Sequence, residues 1–190
     1  MCGITGILDL QGDRNIDPGL IRRMRDSIAH RGPDEAGVFE APGIALGHRR
    51  LSIIDIKTGQ QPLSTPDGKV TIVFNGEIDN FQELADDLKG KGHRFATHSD
   101  TETIVHAWIE WGEDCVHHLR GMFAFAIWDA PQKTLFLARD RMGIKPLLYA
   151  FTNDGHLVFG SEQDQGNRVA GVNALGNQFG VFHSALEAGQ

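Results

Sequence analysis

The sequence predicts a layered sandwich of sheets and helices, α+β in class, and three observations lead there. Most candidate strands are near-continuously apolar, as in Val70 to Phe74 and Met122 to Trp128, which suits sheets covered on one face by helices and on the other by a second sheet. Strands gather toward both ends of the chain, with helices between and among them. Connections are short and strict β-α alternation is missing, which argues against a doubly wound sheet.

In chain order, Thr5 to Leu10 reads as a strand and residues 11–15 as a polar turn. Asp17-Pro18 is a helix start, with Asp at the N-cap and Pro at the first helical position. Leu20, Ile21, Met24 and Ile28 then share one helical face until Gly32-Pro33 stops the helix. Val38 to Glu40 and Ile44 to Leu46 form a hairpin across Ala41-Pro42-Gly43. Leu51 to Ile54 is another extended piece, and Thr58 to Gly68 is a loop rich in Gly, Gln and Pro.

Val70 to Phe74 is a β-branched strand expected to end at Asn75-Gly76. Asn80-Phe81-Gln82-Glu83 and Ser99-Asp100-Thr101-Glu102 are capping boxes that open two helices. The first carries Leu84 and Leu88 to Gly90, and the second carries Ile104, Val105, Trp108 and Trp111. A short helix around Cys115 to Leu119 follows. Met122 to Trp128, Thr134 to Ala138, Leu147 to Phe151 and Leu157 to Phe159 are successive strands, with turns at Asp129-Ala130-Pro131 and Asn153-Asp154-Gly155. From Gln163 the texture changes to Gly, Asn and Gln with weak periodicity, so the expected division is a domain over residues 1–162 and an atypical tail over 163–190.

Composition narrows the function. The chain has 190 residues and a formal net charge of -7, which disfavours a nucleic-acid groove. Two cysteines give no disulfide framework and fit a reducing compartment, so a cytoplasmic location is expected. The first residues lack the basic and apolar regions of a signal peptide, and no apolar run reaches membrane-spanning length.

The N-terminal stretch Met1-Cys2-Gly3-Ile4 carries the most specific chemistry. Removal of Met1 leaves Cys2 with a free α-amino group, which puts a nucleophile and a base on one residue; the ordinary α-amino pKa is about 7.7–8.0. Asn75-Gly76 can direct a side-chain amide and a backbone N–H at one oxyanion. Arg50 offers a planar fork for a carboxylate, Asp100 a charge for an ammonium, and Glu77 serves either task. Each residue also has a plainer reading: Cys2 as a small buried hydrophobe, Asn75-Gly76 as a turn, Arg50 as a solvated strand end, and Asp100 as a neighbour of a cap. The nine histidines lack a metal-ligand spacing, and no glycine-rich loop has phosphate-binding spacing. Arg139, Arg141 and Lys145, interleaved with Asp140, read as a structural turn, and Trp108 and Trp111 as core.

Taken in order, Met1-Cys2-Gly3-Ile4, Arg31-Gly32-Pro33-Asp34, Gly47-His48-Arg49-Arg50-Leu51-Ser52-Ile53-Ile54-Asp55, Asn75-Gly76-Glu77-Ile78 and Ser99-Asp100-Thr101-Glu102 resemble class II glutamine amidotransferase domains. Gly121 to Phe125, Ala138 to Pro146 and Phe159 to Glu162 extend the likeness over roughly residues 1 to 162. The chain looks most like the N-terminal domain of glutamine-hydrolysing asparagine synthetases, including the asparagine-synthetase-like amidotransferases of exosortase-associated clusters.

The resemblance implies an N-terminal-nucleophile hydrolase fold of four layers, α-β-β-α. It implies that Met1 is removed, that Cys2 attacks the side-chain amide of L-glutamine, and that Asn75 and Gly76 form the oxyanion hole. Arg50 would hold the substrate carboxylate, Asp100 and Glu77 the ammonium, with Leu51, Ser52, Ile53 and Ile54 lining the site. No cofactor is implied for this stretch; ATP and Mg belong to a synthetase domain whose Ser-Gly-Gly signature does not occur here. A separate synthetase domain or subunit is therefore an expected partner, and a homo-oligomer is compatible. Two further departures are Asp79, where the family usually has Tyr, and the tail from Gln163. Competing readings are a glutamine-binding remnant without catalysis and a hydrolase for another amide.

Overall fold

The computed structural model describes residues 1–12, 14–51, 59–162, 173–174 and 180–183. Helix α1 is Pro18–Ser27, α2 Phe81–Gly90, α3 Asp100–Trp111 and α4 Cys115–His118. The strands are β1 Gly3–Asp9, β2 Glu35–Ala41, β3 Ile44–Arg50, β4 Leu63–Ser64, β5 Val70–Ile78, β6 Gly121–Asp129, β7 Thr134–Arg139, β8 Leu148–Phe151, β9 His156–Gly160, β10 Asn173–Ala174 and β11 Gly180–His183. They form a six-stranded sheet in the order β10-β8-β9-β1-β3-β2 and a five-stranded sheet in the order β11-β7-β6-β5-β4. All described pairings are antiparallel. No described helix is long and apolar enough to cross a membrane.

Side-chain alternation builds the layers. Ile4 and Leu8 of β1, Ile44 and Leu46 of β3, Val73 of β5, and Ala124, Ala126 and Trp128 of β6 form one buried cluster between the two sheets. The residues between them point outward. Ile7 and Ala45 meet Ile21 of α1 on the outer face of the first sheet. Ile72, Phe74, Ile78, Phe123, Phe125 and Ile127 meet Leu84, Leu88, Ile104 and Trp108 of α2 and α3 on the outer face of the second. The result is the four-layer α-β-β-α sandwich. Two apolar faces per sheet explain why the strands read as unbroken hydrophobic runs.

Local signals hold at several element starts. The Asp17 carboxylate accepts from the Gly19 N–H at 2.8 Å, a cap of the kind that contributes about 1 kcal/mol. Ser99 Oγ accepts from the Glu102 N–H at 3.2 Å. Three expectations are corrected. β5 does not end at Asn75-Gly76 but runs on to Ile78, with Gly76 opposite Phe123 of β6. Asn80 makes no side-chain cap; its amide accepts from Arg120 N–H and donates to the His118 carbonyl, binding α2 to the start of β6. α1 ends at Ser27, and a 3-10 turn over Ala29–Arg31 separates it from Gly32-Pro33. Within the tail, β10 and β11 extend the edges of the two sheets.

Candidate active site

Cys2 stands immediately before β1, whose Ile4 and Leu8 face the space between the sheets. The Leu51 N–H donates to Cys2 Sγ at 3.5 Å, and Sγ lies 3.8 Å from the Leu51 carbonyl oxygen. The Cys2 carbonyl accepts from Arg31 Nε at 3.0 Å. Arg31 is buried and pairs with Glu162, which also meets His30 at 2.7 Å. Its neighbour Gly32 admits no Cβ, which would fall 2.4 Å from the Arg49 carbonyl carbon. Cys2 is thus fixed from both sides, by the end of β3 and by the Arg31-Gly32 corner. Cys115 is fully buried, and burial pushes its thiol up to about 12, so it is a structural residue rather than a thiolate donor.

Arg50 ends β3 on the inter-sheet face that Ile44 and Leu46 define. It is no solvated strand end: the residue is 5% exposed, and its Nη1 donates to Glu35 Oε2 at 3.1 Å. Arg49 points to the opposite face, where its Nη2 donates to Asp26 at 2.5 Å. Leu51 is half-buried. The expected lining residues Ser52, Ile53 and Ile54 lie outside the described residues.

β5 carries the oxyanion candidates. Asn75 falls between Val73 and Glu77 on the inter-sheet face and is 2% exposed, with only Ala124 opposite it. Among the described residues its Nδ2 has no hydrogen-bond partner. A buried donor left unmade costs about 1–3 kcal/mol. Gly76 has its own reason: a Cβ there would sit 2.2 Å from the Met122 carbonyl oxygen and 2.7 Å from Phe123 Cα.

The direction of the Gly76 N–H follows from alternation. Asp79 N–H bonds to the Arg120 carbonyl, so the odd-numbered residues of β5 pair with β6. Even-numbered residues then address the opposite edge. There Phe74 N–H donates to Gln61 Oε1 at 2.6 Å, and Ile78 N–H donates to Asp100 Oδ2 at 3.2 Å. The Gly76 N–H lies between them, on a stretch of edge that no described strand covers. Asp100, at the first position of α3, is held above its ordinary range by burial; backbone N–H donors oppose this and the charge of exposed Glu77 adds to it. Glu102 fixes the approach to α3 by accepting from Ala96 and Thr97 N–H at 2.7 and 2.6 Å.

Four residues here had no role from sequence alone: Arg31, Glu35, His48 and Gln61. His48 is buried on β3, and its Nε2–H donates to the Phe74 carbonyl of β5 at 3.0 Å. Burial lowers its pKa to about 4, so it is neutral. It ties the strand of Arg50 to the strand of Asn75. The set Arg139, Arg141 and Lys145 is the structural turn expected: Asp140 accepts from the N–H groups of Phe123, Ile144 and Lys145.

A family model described as "Glutamine amidotransferase domain" matches residues 1–181. The chain belongs to this family. Among curated relatives, this amidotransferase domain is 45% identical over 165 residues to the glutamine-hydrolyzing asparagine synthetase 3 of Bacillus subtilis, with 85% of this chain and 26% of the relative covered. It is 40% identical over 162 residues to the glutamine-hydrolyzing asparagine synthetase 2 of Oryza sativa, covering 85% of this chain and 27% of the relative. The domain therefore spans about a quarter of the length of the curated relatives it matches. Its fold is that of the glutamine phosphoribosylpyrophosphate amidotransferase of Bacillus subtilis, with a TM-score of 0.68 at 24% identity over 84% of this chain and 42% of that one.

Proposed function

We propose that this domain hydrolyses L-glutamine to glutamate and ammonia through a thioester on Cys2, as the ammonia-producing part of a protein of asparagine synthetase type. The observation that carries the reading is the buried Asn75 amide, whose Nδ2 lacks a partner among the described residues, beside a Gly76 N–H aimed at a stretch of edge that no described strand covers. Two donors from consecutive residues of one rigid strand suit a tetrahedral oxyanion.

In this reading Met1, which is exposed, is removed, and the α-amine of Cys2 takes the thiol proton. Sγ attacks the side-chain carboxamide carbon, Asn75 and Gly76 stabilise the oxyanion, and the C–N bond breaks as the amine returns its proton to the leaving ammonia. Water then cleaves the thioester to glutamate and restores the thiol. Arg50 receives the α-carboxylate, and Asp100 with Glu77 the α-ammonium; Leu51 to Ile54 line the pocket. The chemistry calls on no cofactor within these residues. ATP and Mg would serve a synthetase domain or subunit that uses the ammonia, and the cytoplasm keeps the Cys2 thiol reduced.

The test is glutamate release from glutamine, with the intact mass of the same sample recorded. Processed protein should turn over, and Cys2→Ala should abolish turnover while glutamine binding, followed calorimetrically, persists. Turnover by a sample that retains Met1 would exclude the α-amine as base. ATP, magnesium and aspartate should leave the rate of this domain alone unchanged.

A further inference from the structure

With Met1 removed the chain begins at Cys2, and chain ends fray unless they are tied down. On the β3 side the pairing of β1 starts at Gly3, opposite Arg49; on the β9 side it starts only at Thr5, opposite Gly160. Past the end of β9, two consecutive residues take over. Buried Ser161 holds Ile4: its N–H donates to the Ile4 carbonyl at 2.9 Å, and its Oγ accepts from the Ile4 N–H at 3.0 Å. Glu162 holds Cys2 at one remove. Its Oε1 accepts from Arg31 Nη1, and Arg31 Nε donates to the Cys2 carbonyl at 3.0 Å. The other Glu162 oxygen meets exposed His30 at 2.7 Å. The Arg31 side chain is 6% exposed and that of Glu162 36%. A buried guanidinium needs a counter-ion, and among the described residues Glu162 is the carboxylate that pairs with it.

We propose that Glu162 is a positioning residue for the nucleophile: it neutralises Arg31, keeps the guanidinium on the Cys2 carbonyl and so fixes Cys2 for attack. This rests on Cys2 being the nucleophile. Without the carboxylate the charge of Arg31 is uncompensated, and the guanidinium is drawn toward water and away from Cys2. Cys2 precedes β1 of one sheet, whereas Asn75 and Gly76 lie on β5 of the other, so a chain end must be aligned with a fixed strand. A misplacement of about 1 Å in such an alignment lowers the rate by up to about 10²-fold. Substrate is held by Arg50, Asp100 and Glu77, so the loss falls on turnover rather than on affinity. Glu162 also offsets the Arg31 charge beside Cys2, so removing it favours the thiolate over the thiol and the free amine over the ammonium.

The experiment is steady-state glutamine hydrolysis by the processed domain, with thermal unfolding as the check that each variant is folded. Glu162→Ala is expected to lower kcat about tenfold or more while KM moves less than about twofold. Glu162→Gln keeps an oxygen that accepts from Arg31 and removes the charge; it should lower kcat by a smaller factor, about threefold, and serves if the first variant folds poorly. The second readout is the rate of Cys2 alkylation by iodoacetamide against pH, with which buried Cys115 does not compete. Its midpoint should move to lower pH by about half a unit in both variants. An unchanged kcat in both, or a raised KM at constant kcat, overturns the proposal. So does a fall in kcat with an unmoved alkylation profile, since that is lost packing and not a lost charge. If Cys2→Ala keeps its turnover, the nucleophile reading fails and the role of Glu162 with it. If Cys2→Ala is inactive while both Glu162 variants match wild type, only the role of Glu162 fails.

Discussion

The two edges of β5 are built from the same nine residues and do different work. Toward β6 the pairing is continuous from Val70 opposite Asp129 to Ile78 opposite Gly121. On the other edge β4 pairs only Leu63 with Ile72 and Ser64 with Thr71. Beyond that point side chains replace a strand: Gln61 and Asp100 accept from Phe74 and Ile78 N–H, and His48 donates to the Phe74 carbonyl. The laddered edge contributes stability. The edge finished by side chains is where a backbone donor can be left open for a ligand, because no described strand claims it.

Two substitutions separate what holds this strand pair together from what the strand offers to a ligand. Phe125→Ala on β6 removes a fully buried ring from the cluster under α2 and α3 and should cost about 3–5 kcal/mol of stability, read by denaturant unfolding. Activity per folded molecule should hold. Asn75→Ala should do the reverse, lowering kcat about 10²–10³-fold while unfolding shifts little, since the Nδ2 it removes has no partner among the described residues. If Asn75→Ala instead destabilised the fold and spared kcat, Asn75 would be a structural residue and not an oxyanion donor.

His48 joins the two behaviours and gives a pH test. Its folded pKa, about 4, lies below the value of about 6.5 expected when unfolded. Between these values the unfolded chain binds a proton that the folded chain refuses. Stability is therefore full above about pH 6.5 and falls as the pH drops toward 4, by roughly 3 kcal/mol in total. His48→Gln should flatten that part of the profile, measured as unfolding free energy against pH. A profile as steep in the variant as in wild type would show that another group governs acid sensitivity.

Most of the fold was legible because its strands are buried on both faces, so hydrophobic runs marked them, and because Asp17 and Ser99 act as the caps their types suggest. Asn75-Gly76 misled for a physical reason: the pair is a common turn, and only the close approach of β6 shows that the missing Cβ serves a strand. Asn80 misled because its amide finds better partners across space at Arg120 and His118 than in its own helix. Within the candidate site, Cys2, Arg50, Asn75, Gly76 and Asp100 were legible as residue types suited to the chemistry. Glu35, His48 and Gln61 were not, since each acts through a partner 13 to 26 positions away that strand register alone brings near.

The alternation along β5 also writes an isotopic signature into the strand. Amide protons of the odd-numbered residues are locked in the ladder with β6 and should exchange with deuterium only when the sandwich opens. The Gly76 amide sits in the same stiff strand yet faces an edge that no described strand covers, so its exchange should track access of solvent rather than unfolding. Occupation of the oxyanion position would then slow one proton among neighbours that do not change, making Gly76 a built-in reporter of a filled site.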